Sequence, residues 1–218
     1  MRTETDDMPA AKPAAPLYRD HIKRILDLII AVPVFLLAAI PMLLVAAAVK
    51  MDSSGPVFFK QDRIGKGGKV FRMFKFRSMV VNAEHSGSGV YSGKDDPRVT
   101  RVGRFLRATS LDELPQLINV LRGDMSLIGP RPPLTYHPWP IEEYTEEQFR
   151  MFDVRPGFSG WAQMNGRREV EWHHRIELNV WYVEHIRFSL DVKIFFMTIG
   201  KILTGNKGNQ NTGETVKK

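Results

Sequence analysis

Residues 110–132 read SLDELPQLINVLRGDMSLIGPRP. Leu111, Leu114, Leu117, Ile118 and Leu121 recur at helical spacing and give one oily face, and Gly123 supplies the stop. At the head of this helix Ser110 and Glu113 fit a capping box, with Asp112 in the first turn where it opposes the helix dipole. If Asp112 is the cap instead, Pro115 falls in the tolerated first turn. Either way two adjacent carboxylates, Asp112 and Glu113, stand at a helix N-terminus, where free amides also attract phosphate. Capping alone would account for both. A third acid, Asp124, follows the helix, and Arg131 is locked between Pro130 and Pro132.

Acids that can hold a divalent metal and an arginine suited to phosphate thus share one short span. A carboxylate attacks a phosphoryl centre only where repulsion between anions is suppressed. Mg²⁺ bridging acid and diphosphate does this, with Arg and Lys spreading the remaining charge. An aspartate nucleophile then gives an acyl-phosphate and splits one transfer into two.

Upstream, residues 98–107 carry Arg98, Arg101, Arg104 and Arg107 at every third position. On a helix they form a cationic stripe leading to the acids, with Arg107 nearest. Residues 82–97, rich in Gly, Ser and Asp, read as a loop and a candidate cover. Residues 56–79 predict a β-hairpin: Val57, Phe58 and Phe59, a turn at Gly65-Lys66-Gly67-Gly68, and a return strand from Val70 to Phe76. The turn lacks the GKS/T ending of a P-loop. Lys75 and Arg77 close the second strand and are candidate phosphate ligands, or equally solvated strand-end cations.

Residues 28–49 run without a charge, 22 residues, enough for a spanning helix of roughly 20. Pro33 and Pro41 argue against a straight one. Basic residues flank both ends, Arg19, Lys23 and Arg24 before it and Lys50, Lys60 and Arg63 after it, and both flanks therefore favour the cytoplasm. A helix that enters, breaks at Pro41 and returns satisfies both, and a single span is the simpler alternative. Residues 189–203 place Leu190, Ile194, Met197 and Ile202 along one side, widened by Phe195 and Phe196, as in a helix lying at a membrane surface or an ordinary core helix. In residues 153–167, DVRPGFSGWAQMNGR, Arg155 and Arg167 offer planar donors and Trp161 an aromatic face that could cup a nucleotide.

The net charge of +7 favours anionic partners, and the absence of cysteine excludes disulfides and thiolate metal sites. No nucleic-acid module is recognisable, and nucleic acid is not an expected partner. Residues 1–16 are expected to be a disordered lead, 17–50 the membrane helix, 51–204 a cytosolic catalytic domain on the membrane surface, and 205–218 a flexible tail.

The stretches KRILD (23–27), KFRSM (75–79), 110–132 and 153–167 together resemble the bacterial sugar transferases, the monotopic polyprenyl-phosphate phosphoglycosyl transferases in their short form, over about residues 19–203. The resemblance implies a mixed α/β, helix-rich fold with a re-entrant helix-break-helix hairpin, interfacial amphipathic helices and a small β-hairpin. It implies transfer of a sugar 1-phosphate from a UDP-sugar to polyprenyl (undecaprenyl) phosphate on the inner leaflet, cytosolic face, of the bacterial cytoplasmic membrane. UMP is released through a covalent aspartyl-phosphosugar, as a first step of glycan or exopolysaccharide assembly. On this basis Asp112 is the nucleophile, Glu113 its partner and Mg²⁺ the cofactor, held by both acids with Asp124 as a further candidate. Lys75, Arg77, Arg107 and Arg131 are expected at phosphates, and Arg155 and Arg167 at the nucleotide. The family's helix break is typically Ser-Pro, whereas Ile40 precedes Pro41 here. A non-catalytic membrane scaffold binding anionic lipid is the alternative, and a homo-oligomer is compatible with either.

Overall fold

The computed structural model describes residues 14–87, 89, 96–165 and 172–203. The expected lead and tail fall largely outside this range, as does Arg167.

The apolar segment forms α1, Lys23–Asp52, preceded by a π-helical turn Tyr18–Ile22. The break expected at Pro41 does not divide it: α1 is one 30-residue helix with Pro33 and Pro41 inside. Each proline removes one N–H, and the carbonyls left without a donor belong to Ile29 and Leu37, both on the exposed side. Ala31, Met42 and Val49 are buried against the body, with Phe35, Ala38 and Val45 partly so. That is a stripe with a spacing of three and four. The other side leaves Ile29, Val32, Leu36, Leu37, Ile40, Leu43 and Leu44 exposed.

Strands β1 (Phe58–Ile64) and β2 (Val70–Phe76) form the predicted hairpin, antiparallel with Phe58 opposite Phe76 and Ile64 opposite Val70. It packs under α1 and α2 (Arg101–Thr109) through Phe76 and Leu106, both about 1% exposed. Gly103 is required there, because a Cβ would collide with the backbone of Ser78. Next come α3 (Gln116–Arg122) and β3 (Ser126–Ile128), which pairs in parallel with β4 (Gly157–Ser159). Between them lies α4 (Glu146–Phe149), which carries a capping box at Thr145 and Gln148. The chain closes with α5 (Trp161–Asn165), α6 (Trp172–His185) and α7 (Phe188–Leu203). The two-residue-pair β3–β4 ladder has no alternating pattern in the sequence. It is built on close backbone approach, since a Cβ on Gly157 would meet Gly129.

In α7 the stripe takes the core alternative: Leu190 and Ile194 join the core around Tyr182 and Trp181, and Met197 packs on it. Phe188, Phe195 and Phe196 are the exposed aromatics. The same core absorbs Trp161, stacked on Trp181 at 4.8 Å and 4% exposed, so its face is not open to a nucleobase.

The N-terminal end of α1 is fastened by a buried polar network. Asp191 on α7 accepts from Tyr18 Oη, Lys23 Nζ and Tyr182 Oη, each at 2.6 Å. Asp27 accepts from Ser126 Oγ at 2.7 Å and Leu127 N at 3.1 Å, with Lys23 at 4.0 Å. Burial of charge is costly unless every lone pair finds a donor, and here the donors are supplied. The other end of α1 is fastened as firmly. Asp52 Oδ2 accepts from Val102 N, and Arg77 Nη2 donates to Val49 O, Ser53 O and Ser53 Oγ.

Candidate active site

Helix α2 starts from two caps, Thr100 Oγ1 accepting from Gly103 N at 2.9 Å and Asp52 accepting from Val102 N at 2.8 Å. It ends at Ser110, whose φ of 57° is left-handed, a conformation that costs a non-glycine residue on the order of 1 kcal/mol. The chain then makes a 3₁₀ turn, Leu111–Glu113, held by Glu113 N donating to Ser110 O. Leu111 and Leu114 anchor this turn in the core beneath α1. Pro115 takes the cap position of α3, where a missing N–H costs nothing, and Gly123 (φ 91°) ends it as the sequence predicts.

The expected capping box is absent. Ser110 makes no side-chain cap bond, and neither acid caps α3. Released from that duty, Glu113 Oε1 accepts from Lys75 Nζ at 2.9 Å. Asp112 makes no hydrogen bond to another side chain among the described residues. Burial works against the charge of Glu113, but Lys75, Arg131 and Arg63 more than offset it and hold the carboxyl at about 2. For Asp112 burial wins. It pushes the carboxyl up to about 6, opposed by Lys75 and Arg107 and reinforced by the charge of Glu113. Two neighbouring carboxyls are thus pushed apart in acidity, one locked as a charge and one of raised basicity with an open face. The pair is the kind of site perturbed carboxyls mark.

The structure brings Lys75, Arg107 and Arg131 to the two acids and leaves three other candidates elsewhere. Arg77, 4% exposed, spends Nη2 on the last carbonyls of α1 and staples that helix end, while its Nε and Nη1 are buried with no acceptor. Arg155 Nε donates to Gly123 O, at the far end of α3 from the acids. Asp124 sits at that same far end, bonded by Asn119 Nδ2 and 3.7 Å from Arg122. Among the described residues no three His, Cys, Asp or Glu side chains converge as metal ligands. The cationic stripe also divides. Arg101 and Arg104 are exposed on α2, whereas Arg98 is buried on Asp96 and the carbonyls of Ala83, Ser86 and Gly89.

Two residues escaped the sequence reading. Asn119, fully buried, accepts from Phe74 N and donates to Arg72 O, acting as a strand partner on the free edge of β2 and locking α3 beside Lys75. Arg63 on β1 interacts with Glu113 and Arg131 across the fold. A lone Asn in a helix and an Arg in a hairpin carry no local signal of either role. Asp112, with the Glu113 oxygens beside it, leaves an all-oxygen donor set. It matches a hard cation such as Mg²⁺, which is commonly held by one or two carboxylates and completed by waters and substrate phosphates.

The family model described as bacterial sugar transferase matches residues 18–205, nearly all of the described chain. The chain belongs to the bacterial sugar transferase family. It is 43% identical over 191 residues to the uncharacterized sugar transferase EpsL of Bacillus subtilis, covering 88% of this chain and 91% of that one. It is 42% identical over 201 residues to a UDP-glucose:undecaprenyl-phosphate glucose-1-phosphate transferase of Caulobacter vibrioides, covering 88% and 75% of the two chains. A protein of the same name from Escherichia coli is 41% identical over 201 residues, 87% of this chain but 43% of its own length. This sugar transferase therefore spans less than half of some relatives it matches.

Proposed function

We propose that this chain transfers a sugar 1-phosphate from a UDP-sugar to polyprenyl phosphate, releasing UMP, with Asp112 as nucleophile. The observation that carries the reading is the split pair: Glu113 held by Lys75, and Asp112 raised by burial to about 6, with no hydrogen bond to another side chain among the described residues. A carboxylate of raised basicity is the better nucleophile, and at neutral pH it is still largely ionised. An Asp112 oxygen forms a bond to the phosphorus that bears the sugar. The bond from that phosphorus to the bridging oxygen breaks, and its electron pair leaves with UMP. An anionic oxygen of polyprenyl phosphate then attacks the aspartyl-phosphosugar, the bond to Asp112 breaks, and the carboxylate is restored. Lys75 fixes Glu113, while Arg107 and Arg131 spread the charge of the phosphates. Mg²⁺ bound by Asp112 and Glu113 would neutralise and orient the donor diphosphate.

The reaction fits a protein resting on one leaflet. Both ends of α1 are fastened to the same body, at Lys23 and Asp27 and again at Asp52 and Val49. A rod crossing a hydrocarbon core of about 30 Å would part its ends to opposite sides. The exposed apolar side of α1 is therefore read as immersed from one face, in a re-entrant or in-plane manner, with the basic flanks on the cytosolic side of the bacterial inner membrane. With cysteines introduced as Pro16→Cys and Ser54→Cys, a membrane-impermeant maleimide should reach both from the cytosolic side. Labelling from opposite sides would overturn the one-sided reading.

The test of the activity is release of UMP from a panel of UDP-sugars by full-length protein in detergent with Mg²⁺ and polyprenyl phosphate. Without the acceptor, intact-mass analysis should show one sugar-phosphate added, lost in Asp112→Asn. Absence of both UMP and adduct across the panel, with folded protein, sinks the proposal.

A further inference from the structure

We propose that Asn119 is the positioning residue that sets Lys75 against Glu113, and that Asp124 serves it by holding its amide the right way round. The inference rests on the transferase reading and gives Asp124 a task other than metal binding.

Among the described residues the hairpin sheet has two strands, so the outer edge of β2 has no strand to pair with. The Asn119 amide takes that place. Its Oδ1 accepts from Phe74 N at 3.0 Å and its Nδ2 donates to Arg72 O at 2.7 Å, as a backbone peptide would. The second Nδ2 hydrogen goes to Asp124 Oδ2 at 3.1 Å. These partners dictate the orientation of the amide, because a peptide N–H only donates while a carbonyl and a carboxylate only accept. A flipped amide would face like with like at all three contacts, in a residue with no exposed surface. Asp124 is delivered by the same residue. Asn119 O accepts from Gly123 N, Asp124 N and Met125 N at 3.1, 3.0 and 3.2 Å, which turns the chain back over the end of α3. The Asp124 carboxylate thus closes a ring on the residue whose carbonyl holds its own amide. Its other charged neighbour, Arg122, is exposed and 3.7 Å away.

This lock lies one residue from the ion pair. Phe74 precedes Lys75, whose Nζ meets Glu113 Oε1 at 2.9 Å. Glu113 in turn is continuous with α3 through the bonds Leu114 N to Leu111 O, Leu117 N to Leu114 O and Ile118 N to Pro115 O. Lys75 and Glu113 therefore ride on two elements, β2 and the α3 segment, and Asn119 ties the two with directional bonds. The apolar contact of Met73 with Val120 beside it is non-directional and permits sliding. A lysine is a point charge on a flexible stem, so its reach depends on where the strand is held. A slip of strand against helix by about 1 Å would part the pair, and misplacement of that size at reacting groups costs about 100-fold in rate.

The test is a double-mutant cycle on full-length protein in detergent with Mg²⁺ and polyprenyl phosphate. UMP release from a UDP-sugar is read well below the melting transition of each variant. Asn119→Asp keeps the size and the acceptor for Phe74 N but offers no hydrogen to Arg72 O or Asp124. Alone it should lower kcat about 100-fold and leave the KM for the UDP-sugar within about twofold of wild type. On a Lys75→Ala background the same change should cost less than about threefold, since the contact it sets is already gone. Asp124→Asn still accepts from Asn119 through its side-chain carbonyl and should keep kcat and the Mg²⁺ requirement within about twofold. Asp124→Ala should lose about tenfold in kcat, having nothing to orient the amide. A folded Asn119→Asp with wild-type kcat, or equal losses with and without Lys75, overturns the inference. If Asn119→Asp does not fold, or the Lys75→Ala background is too slow to read, the Asp124 pair decides. Equal loss in both Asp124 variants overturns the inference, a raised Mg²⁺ requirement then marking a metal ligand, and wild-type kcat in both overturns it as well. A wild type that releases no UMP from any UDP-sugar sinks the transferase reading itself. A wild type that does, with Asn119→Asp as fast, sinks only this inference.

Discussion

Two clusters of charge lie in the same molecule and are finished in opposite ways. At the root of α1, Asp191 and Asp27 draw donors from Tyr18, Lys23, Tyr182, Ser126 and the Leu127 amide. Beneath α2, Asp112 has no side-chain hydrogen-bond partner among the described residues, Arg63 has an unmet donor, and several cations act on the two acids. The first is a closed structural knot. The second is left open in both signs, which is stabilising for a substrate and not for the empty protein.

The sharpest break of this comparison is to neutralise one acid from each cluster. Asp112→Asn should lower kcat by about 10⁴–10⁶-fold, the scale of losing a nucleophile, measured as UMP release. Asp191→Ala should leave Tyr18, Lys23 and Tyr182 without their acceptor and cost about 3–5 kcal/mol of unfolding free energy, measured by urea titration. If Asp191→Ala instead removed activity at full stability, the knot would belong to the chemistry.

Acidity separates the clusters further. With metal chelated, Asp112 is protonated in both folded and unfolded chains below about pH 4 and contributes nothing. Between about 4 and 6 the unfolded chain loses that proton first, so stability falls as pH rises and stays lower above 6. Glu113, held at about 2, runs the other way: its contribution is present above its ordinary range and is lost as pH falls from about 4 towards 2. Wild type should therefore lose about 1–3 kcal/mol relative to Asp112→Asn between pH 4 and 7.5, read from urea melts at each pH. Parallel curves for the two proteins would remove the strain assigned to Asp112. The smallest effect is at the joint of the two helices, where Asp52→Ala removes the acceptor of Val102 N and should lower the melting temperature less than Asp191→Ala does.

What the sequence made legible were features with local signatures. The hairpin followed from its apolar runs and glycine turn, the end of α3 from Gly123, and the presence of α1, though not its unbroken course through Pro41, from an uncharged run. The grouping of Lys75, Arg107 and Arg131 around the two acids came with the family resemblance. The roles of individual cations were not legible, because a guanidinium serves a carbonyl as readily as a phosphate. Arg77 and Arg155 stand in motifs beside the site, yet they spend donors on Val49, Ser53 and Gly123. The periodicity of α7 was real, but period alone does not say which face meets lipid. Leu190 and Ile194 went to the core and left the phenylalanines outside. Asn119 and Arg63 reach partners across 45 to 69 residues of chain, beyond any window a pattern can span.

The bond from Asp52 to Val102 joins the end of the apolar helix to the start of α2, and the left-handed Ser110 at the other end of α2 leads within two residues to Asp112. Nine helical residues make a strut of about 13 Å. Both ends of α1 are tied to the same body, so on the proposed reading, with α1 lying in one leaflet, the depth of that helix and the height of Asp112 above the lipid are set together, as one rigid unit.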